Sequence, residues 1–421
     1  MQEEEAAPEA PDVLPDVPVL EPREGVPQPV ETREALLAAA ARLGAGTGPV
    51  AIDAERASGY RYSARAYLVQ LRRAGSGTVL VDPVPLGGLH PLDDVLHDAE
   101  WVLHAASQDL PCLAGEGMRP VRLFDTELAG RLLGLPRVGL AAMVEELLGW
   151  RLEKGYSAAD WSTRPLPEPW LRYAALDVEV LLELRDALEE RLRAAGKWEW
   201  AQEEFDALTR FAPAPPPAEP WRRTSGLHRL RRPRQLAVLR ELWTSRDELA
   251  RERDSAPGRL LPDAALVELA LASPHTLDDL LAVPAFKARP SQRRRARRWL
   301  DAVHRGQQVP DSELPAPASA PEGPPPARFW SEREPLAAAR LATARAALGA
   351  LAERLELPVE NLVQPEAVRR LCWSPPDPVD EEAVRAQLLA SSARPWQVEL
   401  AAPLLVAALT SPPRAGAPTA S

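Results

Sequence analysis

Two proline-rich stretches, APAPPPAEP at 212–220 and PAPASAPEGPPPA at 315–327, punctuate this chain of 421 residues. Proline fixes φ and has no backbone N–H, so neither stretch can lie inside a helix or a central strand. The first reads as a stiff linker over 212–223 and the second as a linker over 307–327. A chain of this length exceeds one core, so two or three domains are expected. The candidate folded segments are 33–211, 224–306 and 328–411. Residues 1–32, rich in Pro, Glu and Ala, and residues 412–421 are expected to be disordered.

Segment 33–211 mixes two periodicities. A helix is predicted to start near Glu31 or Thr32, with Leu36, Leu37, Ala40 and Leu43 on its apolar face, and to end at Gly44, Gly46 and Gly48. PVAIDAE (49–55), AYLVQLR (66–72), GTVLVD (77–82) and WVLHA (101–105) are apolar or β-branched runs bounded by turns, and predict strands. Helices are predicted over 107–116, 125–134, 139–148 and 169–195. The expected class is an α/β layer fold. Segments 224–306 and 328–411 carry helical apolar spacing throughout and predict all-α bundles.

The net charge of −11 hides a strong asymmetry. Residues 1–34 hold ten acids and two bases, whereas residues 221–305 hold nineteen Lys or Arg and ten acids, a net of +9. A basic helical unit beside an acidic tail fits a polyanion partner better than the whole-chain charge suggests. The cysteines, Cys112 and Cys372, offer no zinc spacing and no disulfide framework. No run reaches the ~18 apolar residues of a membrane span. The amino-terminal residues lack the charged and apolar regions of a signal peptide. A soluble cytoplasmic protein is expected.

Acidic residues stand in three unusual contexts. Asp53 and Glu55 end the first strand, and side chains two apart on a strand share a face. Two carboxylates on one face repel unless a cation or solvent separates them. His104 and Asp109 follow a later strand, with Asp109 expected in the first turn of a helix. Tyr173 and Asp177 are four apart on a helix and share its face, within the apolar run Leu171, Ala174, Ala175, Leu176 and Val178. An acid there is costly unless paired or metal-bound. Taken singly, each motif equally suits a charged strand end, a helix-start acid or a polar stripe.

The ordered set D-x-E, H-x-x-x-x-D and Y-x-x-x-D resembles the DEDDy exonucleases, whose members share a ribonuclease H-like fold. Two further segments sharpen the likeness. Tyr67-Leu68-Val69-Gln70-Leu71 resembles the family's second strand. Lys154-Gly155-Tyr156-Ser157, followed by Asp160-Trp161-Ser162-Thr163-Arg164-Pro165-Leu166, resembles the ribonuclease D segment before the last motif. The resemblance covers about 35–205. It implies a mixed sheet with flanking helices, and hydrolysis of phosphodiester bonds at RNA 3′ ends with release of nucleoside 5′-monophosphates. It also implies two divalent cations, Mg²⁺ or Mn²⁺. Asp53 would bridge them, Glu55 and Asp177 would complete one shell, Asp109 would hold the second ion, and Tyr173 would orient water. Hard divalent cations favour such oxygen ligands, and a pair can stabilise both attacking and leaving oxygens. His104, Lys154 and Arg164 are candidate substrate contacts, each with a structural alternative. Arg56-Ala57-Ser58 lacks the bulky apolar residue many relatives place after D-x-E.

Segment 224–306 resembles the HRDC domain, through Arg232–Trp243, Arg246–Ala250 and Arg259–Leu266. The likeness implies nucleic-acid binding, and Arg293, Arg294 and Arg295 head a cluster suited to phosphates. Segment 328–411 resembles a second HRDC-like bundle, through Leu357–Leu362 and Arg369–Trp373. By analogy the substrates include tRNA precursors, and the chain is expected to act as a monomer. Two rivals remain open at this level: a DNA 3′–5′ exonuclease and a non-catalytic nucleic-acid-binding protein. A helicase is disfavoured, since no G-x-x-x-x-G-K-[ST] phosphate loop occurs.

Overall fold

The computed structural model describes residues 17–153, 155–212, 217–287, 290–316 and 323–411. Helix α1 (Arg33–Gly44) starts where Thr32 caps it, the hydroxyl accepting from the Ala35 N–H. Leu36, Ala39, Ala40 and Leu43 are buried, whereas Leu37, expected on the same face, is exposed. A meander follows: β1 (Thr47–Arg56), β2 (Ala66–Ala74) and β3 (Gly77–Val81). Helix α2 (His90–Leu96) leads to β4 (Glu100–Leu103), α3 (Leu110–Gly115), β5 (Arg122–Asp125), α4 (Thr126–Leu132) and α5 (Leu140–Leu148). Helices α6 (Glu168–Glu179), α7 (Leu181–Ala194) and α8 (Trp198–Thr209) complete the unit.

The sheet runs β3-β2-β1-β4-β5. The meander strands pair antiparallel, and β1, β4 and β5 pair parallel. Strand β1 is central and nearly all apolar up to Asp53, as a strand covered on both faces must be. The single helix expected over 169–195 is two helices. Val180 leaves the ladder with φ −99° and ψ −14°, and the break carries no Pro or Gly to announce it. Strand β5 and helices α2 and α8 fall where no element was expected. Four residues of strand, R-L-F-D, are too few to show a period.

The three candidate folded segments resolve into two large cores. Residues 224–306 form their own bundle around Leu236, Leu239, Leu242, Leu266, Phe286 and Trp299, with Trp243 half-buried against it. Gly306 lets helix Ala296–Gln308 lie directly on helix Pro233–Glu252, since a Cβ there would fall 2.4 Å from the Val238 Cα. The third segment, by contrast, shares one continuous core with the α/β unit. Trp396 stacks on Trp200 of α8, with centroids 4.8 Å apart, and its indole N–H donates to Glu204. The Lys197 ammonium donates to the Leu132 and Glu356 carbonyls, tying α4 to the last segment. The basic bundle meets the α/β unit through a polar seam. Asp254 accepts from Ser63 N–H and Tyr67 hydroxyl, and Asp247 from the Tyr62 hydroxyl.

The disordered tail expected over 1–32 is also corrected in part. Residues 1–16 and 412–421 lie outside the described residues. Residues 17–32 pack on the α/β unit as a strap. Leu20 is buried and donates its N–H to the Arg151 carbonyl. Glu21 pairs with Arg172, and Arg23 with Glu183. Two apolar anchors, buried Leu20 and half-buried Val30, hold the strap where a compositional reading saw only Pro and Glu. Among the described residues no helix is long and apolar enough to cross a membrane.

Candidate metal centre

Helix α6 lies across β1, β2 and β3 and carries Tyr173 and Asp177 over the carboxyl end of β1. Asp53, Glu55 and Asp177 each present a carboxylate oxygen, and these atoms lie within 4.8 Å of one another. Asp109 reaches the same cleft from the opposite wall, where β4 gives way to α3. The cleft encloses about 670 Å³ and is lined by all four acids, Tyr173 and His104.

The loop that presents Asp109 is itself held by an acid. Ala105 adopts a left-handed φ of 58°. Its N–H and that of Ala106 donate to the Asp125 carboxylate at 3.1 and 2.8 Å, and Asp125 also caps α4. Asp109 stands just before α3 rather than inside its first turn, without a capping bond of its own. Its carboxylate is therefore left for other partners. Arg56, directly after D-x-E, sets a guanidinium nitrogen 3.5 Å from it.

Tyr173 is buttressed by the 155–166 segment. Its ring meets Tyr156 edge-on at 6.1 Å and Trp161 at 6.4 Å. Gly155 permits this approach, because a Cβ there would lie 2.9 Å from the Tyr173 ring. The phenol and the Asp177 carboxylate line the same cleft.

Burial pushes Asp53, Glu55, Asp109 and Asp177 up, and repulsion from neighbouring carboxylates adds to it for the last three. Asp53 rises to about 6 through burial, and Glu55 to about 10 through burial and then Asp53, Asp177 and Asp109. Asp109 and Asp177 are held well above the usual carboxylate range by burial and then by Asp53. Burial and then Asp177 raise the Tyr173 phenol, which stays protonated. A buried cluster of oxygen donors that repel one another is the environment a hard divalent cation relieves.

The remaining sequence candidates separate. The His104 Nδ1 lies 2.9 Å from the Thr126 hydroxyl, which donates to the Leu103 carbonyl. That order assigns the ring proton to Nδ1 and leaves Nε2 as an acceptor. Burial pushes His104 down to about 4, so it is neutral at neutral pH. Lys154 lies outside the described residues. Arg164, a candidate phosphate contact, is engaged internally. Its guanidinium clamps the buried Asp82 with an Nη2–Oδ1 distance of 2.9 Å and donates to the Trp161 and Tyr67 carbonyls. It has no donor directed at the acidic cleft. Arg293 and Arg294 are exposed and Arg295 half-buried, all in the basic bundle. Asp125 and Arg56 escaped the sequence reading as site residues. Arg56 was signalled only by its adjacency to Glu55, and Asp125 only by its place before α4.

Residues 27–193 match the family described as 3′-5′ exonuclease, residues 235–303 the HRDC domain, and residues 323–409 the 3′ to 5′ exonuclease C-terminal domain. Fold and cleft thus define a 3′–5′ exonuclease. Ribonuclease D of Jannaschia sp. (strain CCS1) is 33% identical over 300 residues, covering 69% of this chain and 77% of that protein. Ribonuclease D of Acidiphilium cryptum (strain JF-5) is 32% identical over 316 residues, covering 72% and 78%. The crystal structure of Escherichia coli RNase D, an exoribonuclease involved in structured RNA processing, superposes with a TM-score of 0.65 at 28% identity, covering 87% of this chain and 96% of that one. A crystal structure of a protein from Bifidobacterium adolescentis reaches a TM-score of 0.87 at 38% identity, covering 94% and 100%. The chain belongs to the ribonuclease D family and is a 3′–5′ exoribonuclease. The last segment, expected as a second HRDC-like bundle, matches the exonuclease C-terminal family instead, in keeping with its shared core.

Proposed function

We propose that the Asp53 cleft trims the 3′ ends of structured RNAs, tRNA precursors among them, as a two-metal hydrolase. The convergence of Asp53, Glu55 and Asp177 within 4.8 Å carries this reading. These three would hold one divalent cation, Mg²⁺ or Mn²⁺, and Asp53 with Asp109 a second. Bound there, such ions supply Lewis-acid stabilisation of the attacking and leaving oxygens and lower the pKa of water. Tyr173 retains its proton and would orient the attacking water from beside Asp177; it is no base. Neutral His104 offers Nε2 as an acceptor to a ribose hydroxyl or an ordered water. Arg293, Arg294 and Arg295 would hold phosphates of the RNA upstream of its end, through counterion release. The cleft is complete within one chain, which suits a monomer.

The test is release of nucleoside 5′-monophosphates from a 3′-hydroxyl RNA, with Mg²⁺ and with chelator, beside DNA of the same sequence. Hydrolysis is expected with RNA and Mg²⁺ only. Asp53→Asn should abolish it while RNA affinity is unchanged. Equal digestion by the variant and the parent would sink the assignment of the cleft.

A further inference from the structure

Three of the four acids converge, and the fourth stands apart with a partner of its own. Among the described residues the cluster able to share a cation comprises Asp53, Glu55 and Asp177, without Asp109. Asp109 faces Arg56 instead, with Nη2 3.5 Å from Oδ1. The same guanidinium donates through Nη1 to the Gln108 carbonyl at 2.8 Å. It is therefore held at two points against the residue pair that presents the carboxylate. Arg56 and Asp109 both line the cleft, and their side chains are 30% and 7% exposed. The β1–β2 ladder slips between Glu55 and Arg56, which stands opposite Ala66. Such irregularities bend a strand and re-aim its side chains beside functional sites.

We propose that Arg56 competes with the second divalent cation for the Asp109 carboxylate, so that the two ions bind with unequal affinity. This rests on the two-metal reading above. The physical reason is local. A guanidinium and a divalent cation repel, and a carboxylate held in a charge-assisted contact must give it up before a metal can take its place. Among the described residues the Asp53, Glu55 and Asp177 group makes no ion pair and can accept an ion without breaking one. The first ion then loads at a preassembled trio, and the second only when Arg56 turns away. Arginine thus makes the cleft demand more divalent cation than its four acids alone would require.

Mn²⁺ binding to the full chain, followed by the electron paramagnetic resonance of free Mn²⁺, tests this without reference to activity. The parent is expected to bind two Mn²⁺ in two classes. Arg56→Leu should tighten the weaker class about tenfold, the scale of one charge-assisted bond, and leave the tighter class within about twofold. Arg56→Gln, which keeps polarity and length, should behave alike and guards against a folding defect in the first variant. Arg56→Lys, which keeps the charge without the two-point fork, should fall between. The Mg²⁺ concentration for half-maximal hydrolysis should drop in step with the weaker class. Equal tightening of both classes would show Arg56 to be a background charge and overturn the proposal, as would no change in either. A parent that binds two Mn²⁺ and digests RNA while the variants do not differ from it fails this proposal alone. A parent that binds no Mn²⁺ fails the two-metal reading itself, and this proposal with it.

Discussion

Trp200 stacks on Trp396 with their ring planes only 12° apart, joining helix α8 of the exonuclease unit to the last helix of the chain. Glu204 and Glu203 of α8 accept the Trp396 indole and backbone N–H groups at 3.1 and 3.0 Å. The contact makes the carboxyl-terminal segment part of the nuclease core. Trp396→Ala removes a nearly fully buried ring and should cost about 3–5 kcal/mol. In urea titrations watched by circular dichroism, the nuclease and the last segment should unfold together at lower denaturant. A separate early transition confined to the last segment, with the nuclease unaffected, would contradict a shared core.

Stability should depend on pH with an unusual sign when divalent cations are removed. The folded pKa values of Asp53 and Glu55, about 6 and about 10, lie above those of unfolded carboxyls. The folded chain therefore binds more protons, and their stabilising contribution is complete only below about pH 4. It is lost as pH rises through about 6 for Asp53 and on toward 10 for Glu55. In chelator, the melting temperature should fall from roughly pH 5 to pH 8. Mg²⁺ or Mn²⁺ displaces those protons, so the cation-induced rise should be larger at the upper end of that range. Asp53→Asn should lose most of this rise. A rise that shrinks with pH would refute the linkage.

Arg164 separates structural from substrate roles. Its pair with buried Asp82 is internal, and breaking such a pair strands a charge at a cost of roughly 3 kcal/mol. Arg164→Ala should lower the unfolding midpoint while RNA affinity, measured below that midpoint, stays within about twofold of the parent. A large affinity loss with unchanged stability would restore the phosphate contact expected from sequence.

Replacing Arg293, Arg294 and Arg295 together by Ala should weaken RNA binding at low salt and flatten its salt dependence. If each side chain neutralises one phosphate, the slope of log K against log salt should fall by about 2 in magnitude, at about 0.7 per single-strand phosphate. Fluorescence anisotropy across a salt series measures this. An unchanged slope would place the RNA elsewhere.

The sequence carried the fold class and candidates for the chemistry better than the way the segments pack together. Asp53, Glu55, Asp109, Tyr173 and Asp177 were legible as candidates because their ordered motifs resemble those of the DEDDy exonucleases; strand and helix periods alone only place pairs of them on common faces. The meeting of those pairs was not legible from any period, since it depends on α6 crossing β1 to β3. Residues whose roles are relayed stayed hidden. Asp125 reads as an ordinary helix-capping acid, and only the left-handed Ala105 shows what else it holds. Arg164 reads as a free cation until Asp82 appears beneath it. The strap of residues 17–32 and the shared core were masked by proline, which reports on local backbone and is silent about which surfaces meet.

The placement of the final helix has a consequence for synthesis. As the chain leaves the ribosome, the catalytic motifs and the whole basic bundle emerge before Trp396 does. Until then α8 lacks its aromatic partner. A nascent nuclease therefore cannot finish its interior until the final helix has emerged, whereas the bundle in the middle has all it needs to fold first.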